Sequence, residues 1–133
     1  MIEQLCEEYL RLHGYDEKEA TQLQYSSCRE GKSMEKYDIV GRAKNNVMIY
    51  AQVKADWKKN YVNIFEDVEF PKEEKAEMIL FASENGKNVE LNNGAKFVSI
   101  QDVFKYFNND AGQKMLMDMS GLSKEYQCYL EFK

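Results

Sequence analysis

The sequence is short of the residues that mark several functional classes. It has a single proline and seven glycines, which argues against a low-complexity chain, and no internal repeat is visible. Its one histidine, His13, and its three cysteines, Cys6, Cys28 and Cys128, are far apart, and none forms a CxxC pair. That spacing argues against a zinc site of Cys and His ligands. The thiols read as reduced and buried, acting as small apolar groups. No stretch approaches the roughly 18 apolar residues needed to cross a bilayer. The opening MIEQLCEEYL carries acids where a secretory signal carries a basic start. The expectation is a cytoplasmic protein with no membrane association.

A basic excess is also missing. Eighteen Lys and Arg stand against 23 Asp and Glu, for a net charge of −5. Binding nucleic acid by bulk electrostatics needs a basic surface, and this balance weighs against it. A nuclease whose acids gather around metal and whose lysines line one groove stays compatible with it.

What the chain does have is enough length, 133 residues, for one domain with a real hydrophobic core. Ile2, Leu5, Cys6, Tyr9, Leu12 and His13 recur at helical steps, and Gly14 is placed to end that helix. Thr21 to Cys28 alternates weakly through Leu23 and Tyr25, as a first strand would. Arg29 to Ser33 reads as a loop. Tyr37–Val40 and Val47–Val53 are β-prone runs around the turn residues Lys44-Asn45-Asn46, the pattern of an antiparallel hairpin.

Further on, Tyr61 to Phe70 reads as a twisted strand or a strand and turn. Pro71 to Glu77 resembles a helix start. Met78 to Ala82 is a continuous apolar run, as in a strand covered on both faces. Lys87–Leu91 and Lys96–Ile100 flank a turn signal at Asn92-Asn93-Gly94. Helices are expected at Gln101–Phe107 and at about Ala111–Met119, and a closing strand at Glu125–Phe132. The fold class predicted is α/β, with a mixed sheet flanked by helices.

The hairpin makes a geometric prediction. A turn centred on Asn45 pairs residues placed symmetrically about it, so Asp38 faces Gln52 and both project to one side. Lys54, two residues beyond Gln52, shares that side, while Val47, Ile49, Ala51 and Val53 point to the other. An acid, an amide oxygen and an ammonium on adjoining strands suit phosphodiester hydrolysis. Asp38, Gln52 and the Val53 carbonyl offer the oxygen ligands that Mg²⁺ or Mn²⁺ takes, and Lys54 can orient a water and offset developing charge. The competing reading is that the three form the wet face of an ordinary antiparallel pair.

The runs Glu35-Lys36-Tyr37-Asp38-Ile39-Val40 and Ile49-Tyr50-Ala51-Gln52-Val53-Lys54 resemble the PD-(D/E)XK nuclease superfamily. The nearest group is the Mrr-like restriction endonucleases that carry glutamine in the last triad. The opening Ile2-Glu3-Gln4-Leu5, with Leu10 and Gly14-Tyr15, is similar to that group's first helix. The resemblance implies a restriction-endonuclease-like core of order αβββαβ over residues 1–107, within a single domain 1–133 that ends in a helix-strand extension at 108–133. It implies Glu3 as the helix acid that helps shape the metal site, with Glu7 one turn later as a substitute. It also implies a DNA substrate and a possible homodimer cutting both strands.

This sequence departs from the family pattern in two places. The proline that names the motif is absent, Tyr37 preceding Asp38, and Gln52 stands where an acid is usual. A degenerate copy of the fold, serving as a binding or oligomerisation module, is therefore the alternative. Asp56 continues the Lys54 face and is a candidate for the missing acid. Trp57 has two readings, stacking on a base or packing half-buried. Lys58 and Lys59 are too few to make a phosphate patch. His13 reads as a residue that compensates the helix dipole, and Phe104, Tyr106 and Phe107 as core.

Overall fold

A computed structural model describes residues 2–28, 37–66, 68 and 74–108. The chain runs α1 (Ile2–Leu12), β1 (Leu23–Cys28), β2 (Ile39–Ala43), β3 (Met48–Val53), β4 (Ala76–Ala82), β5 (Lys96–Ser99) and α2 (Ile100–Phe107). The five strands form one sheet in sequence order. β2 is antiparallel to β1 and β3, whereas β4 is parallel to β3 and β5 to β4. The class is α/β with a mixed sheet.

Local chemistry accounts for the helix ends. Beyond α1, the Gly14 N–H bonds the Leu10 carbonyl at 3.1 Å, and Gly14 adopts φ +86, which a side chain would strain. At α2 the Ser99 hydroxyl accepts from the Gln101 and Asp102 N–H groups at 3.1 and 3.3 Å, a side-chain N-cap.

Both helices pack on the same face. Leu5, Cys6, Tyr9 and Leu10 of α1 and Val103, Phe104 and Phe107 of α2 close over Ile39, Ile49, Ala51, Val53, Ile79 and Phe81. The helices expected to flank the sheet thus lie, among the described residues, on one face of it. The second face is covered instead by short 3₁₀ turns and loops, with Phe65 and Leu91 buried over Met78, Leu80 and Ala82, and with Tyr37, Trp57, Tyr61 and Phe97 packed around them. Met78 to Ala82 is buried from both sides, as its unbroken apolar run predicts.

The middle of the chain brings further corrections. Lys59–Asn63 is a 3₁₀ helix, so Tyr61 does not open a strand. Ala76 and Glu77 already belong to β4, drawn into the sheet by parallel pairing with Met48 and Ile49, where residue preference suggested a helix start. The α-helix expected between the third and fourth strands of an αβββαβ order is replaced, among the described residues, by that 3₁₀ helix. The turn signal at Asn92–Gly94 is a 3₁₀ turn, and β5, which follows it, pairs in parallel with β4. The loop expected at 29–33, the helix at 111–119, the strand at 125–132 and Cys128 lie outside the described residues. No helix among the described residues is long and apolar enough to cross a membrane.

Candidate functional site

The β2–β3 hairpin has a fastened end and an open end. At the turn, Asn46 takes φ +68 and its N–H bonds the Ala43 carbonyl at 2.9 Å. Asn45 N–H bonds Ala20 O at 2.8 Å, Lys44 N–H bonds Gln22 O at 2.9 Å, and the Lys44 ammonium lies 3.4 Å from Glu19. The turn is therefore tied to the segment that follows α1. The register is symmetric about residue 45, with Ile39 opposite Ala51, Val40 opposite Tyr50 and Gly41 opposite Ile49. Asp38, Gln52, Val53 and Lys54 fall at the other end.

At Asp38 the strand pleat breaks. Ala43 aims its N–H at Val47, just before β3, so every second residue back along β2 addresses β3, and Asp38 should face away. Its N–H instead reaches the Ala51 carbonyl at 3.0 Å. The chain turns there, and the Asp38 carboxylate Oδ2 accepts the Val53 N–H at 2.8 Å. The side chain thus supplies the acceptor that the strand no longer offers, because a partly buried N–H needs a partner. An acid is thereby fixed against the backbone between Gln52 and Lys54. The Val53 carbonyl points to the same side as its N–H, past the end of β2.

By strand alternation Gln52 and Lys54 project on the face away from the helices. Val53, Ala51 and Ile49 enter the helix-side core, with Val47 packed against it. The Lys54 N–H bonds the Phe81 carbonyl at 2.8 Å, which fixes its backbone by parallel pairing. Its ammonium sits 5.7 Å from the centre of the Tyr61 ring. Asp56 does not join Lys54. Its Oδ1 accepts the Tyr61 hydroxyl at 2.7 Å, and its Oδ2 lies 3.9 Å from the Lys58 ammonium. Trp57 makes T-shaped contacts with Tyr61 and Phe97, and a Cβ at Gly86 would overlap its ring, so it packs half-buried in a structural slot.

Glu3 approaches from the opposite face. The Ser26 hydroxyl donates to Glu7 at 2.6 Å, and the Gln22 amide donates to the Leu12 carbonyl at 2.7 Å. These two ties make α1 run antiparallel to β1. Glu3, about 6 Å of helix beyond Glu7, is carried toward the Cys28 end of β1, whose partner is Ile39. The helix acid and Asp38 share one end of the sheet. Glu7 is held at β1.

Aromatic rings brace the approach to Asp38. Tyr37 lies 5.0 Å from Tyr50 and stacks on Phe65 at 6.5 Å. The Tyr50 hydroxyl donates to Glu74 at 2.7 Å, and burial together with that carboxylate pushes its pKa up to about 12. Among the described residues no three His, Cys, Asp or Glu side chains form a group that could hold a metal ion.

The residue that sequence reasoning missed is Tyr61. Seven positions separate it from Lys54, and only the 3₁₀ helix, which no periodicity announced, brings its ring over the ammonium.

No family model, curated protein or solved structure matches the chain.

Proposed function

We propose that this protein is a metal-dependent phosphodiesterase acting on nucleic acid, DNA in preference, on a restriction-endonuclease-like core. The single observation that supports this most is the Asp38 carboxylate seated on the Val53 N–H, which sets an acid beside Gln52 and Lys54. The order helix, three strands, then a strand parallel to the third supports that reading, although among the described residues a 3₁₀ helix stands where the family core has its middle helix.

The donor set suits Mg²⁺ or Mn²⁺, which take one or two carboxylates and keep several waters. Asp38 Oδ1, the Gln52 amide oxygen and the Val53 carbonyl would hold such an ion, with Glu3 reaching in from α1. The bound ion supplies polarisation of the phosphate and a lowered pKa for water. Asp38 fixes the charged edge of the site while its other oxygen keeps the hairpin end closed. Gln52 contributes an oxygen without adding charge, which lowers the repulsion an incoming phosphate meets. Lys54 orients the attacking water and offsets the charge that builds on phosphate oxygens.

The test is cleavage of DNA by purified protein with Mg²⁺ or Mn²⁺. Lys54→Ala is expected to abolish the activity, and cleavage that survives Asp38→Ala would overturn the site as drawn.

One observation favours a second reading. Asp38 already has a structural task at Val53, and among the described residues no three His, Cys, Asp or Glu side chains form a group that could hold a metal ion, as suits a degenerate nuclease-like fold that binds or assembles. That reading predicts no divalent-metal heat by calorimetry in a protein that stays folded.

A further inference from the structure

We infer that Tyr61 is a positioning residue for the Lys54 ammonium, an inference that rests on the phosphodiesterase reading of the same site. Lysine has four rotatable side-chain bonds, and an ammonium that is to meet one phosphate oxygen needs something to restrict them. In this protein the ammonium lies 5.7 Å from the Tyr61 ring centre, within cation–π range.

The ring is itself held from two sides. Its hydroxyl donates to Asp56 at 2.7 Å, and that carboxylate is approached by Lys58 at 3.9 Å. Its edge meets Trp57 at 5.9 Å between ring centres, and Trp57 is seated on Gly86 and Phe97. Asp56 neutralises nothing at Lys54. Its carboxylate is engaged instead by the Tyr61 hydroxyl and approached by Lys58. A π-face attracts the ammonium without neutralising it, as a carboxylate partner would, so Lys54 keeps its positive charge for the phosphate.

The experiment labels lysine with ¹³C and ¹⁵N in the full chain and follows the Lys54 ε-methylene by NMR, assigned by its loss in Lys54→Arg. The wild type and Tyr61→Phe are expected to show an upfield ring-current shift, and Tyr61→Leu to lose it while the amide signals of β3 stay in place. An unshifted wild-type signal, or one that Tyr61→Leu leaves unchanged, overturns the inference. In Mg²⁺-dependent cleavage, Tyr61→Leu should lower kcat about threefold to tenfold with KM nearly constant, and Tyr61→Phe should restore it. A loss confined to KM, or no rescue by phenylalanine, also overturns it. If the wild type cleaves nothing, the phosphodiesterase reading fails by itself, and the lysine signal alone decides whether the ring holds the ammonium.

Discussion

The two faces of the sheet are built by different means. On one, two α-helices lay aliphatic and aromatic side chains into the sheet at regular spacing and close it off from water. On the other, 3₁₀ turns and loops lay down tyrosines, a tryptophan and phenylalanines whose contacts are mostly edge-on or tilted. Lys54, with its neighbours Tyr61 and Asp56, sits on the second. Regular helix packing buries a face completely and leaves no room for chemistry. An irregular cover of large rings can leave a charged side chain such as Lys54 partly exposed while still fixing its surroundings.

If that division is right, damage to the helix face should be global and damage to the other face local. Phe81 is fully buried under the helices, and Phe81→Ala is expected to cost about 3–5 kcal/mol, the largest of the expected losses. Urea denaturation should show the whole molecule unfolding earlier in one transition. Gly86→Ala probes the second face, where the added methyl overlaps the Trp57 ring and should cost about 1–3 kcal/mol. Tryptophan fluorescence should report the displaced ring while far-ultraviolet circular dichroism of the helices is retained. Global loss of helix signal at equal denaturant in both variants would erase the distinction.

The same division explains what the sequence made legible. Helix spacing at Leu5, Cys6, Tyr9 and at Val103, Phe104, Phe107 reports burial directly, and both helices stand where that spacing puts them. The hairpin register followed from the Asn45-Asn46 turn because strand pairing on either side of a short turn is set by the turn itself. The break in the pleat at Asp38 was not legible, since it depends on Val53 needing an acceptor fifteen positions away. Nor were the parallel pairings of β4 and β5, which join segments far apart in the chain. Residue preference at 74–77 pointed to a helix, and the vacant edge of β3 overrode it.

Asp38 allows the site to be separated from the scaffold. Asp38→Ala leaves the Val53 N–H without its acceptor and should cost about 1–3 kcal/mol. Asp38→Asn keeps an amide oxygen in the same place and should lose only a fraction of that, while removing the charge a metal needs. Thermal melts should therefore rank wild type, Asn and Ala in descending order, and cleavage should be lost in both variants. Equal melting of Asn and Ala would mean that the carboxylate charge, not the hydrogen bond, holds the end of the hairpin.

The smallest expected effect reaches both faces at once. Tyr9, beneath the helices, has its pKa pushed up to about 12 by burial first and by nearby acids after it, and Tyr50 on the other face is raised to about 12 by burial and Glu74. A raised phenol pKa means that the folded protein still holds a proton which the unfolded chain, near its ordinary 10, has released. Stability from these groups is complete below pH 10 and falls as the pH rises toward 12. Chemical denaturation across that window should show a falling midpoint, with a shallower slope in Tyr9→Phe and in Tyr50→Phe. A slope relieved by Tyr9→Phe alone would assign the alkaline loss to the helix face, and would mean that the Tyr50–Glu74 contact is too exposed to hold its proton.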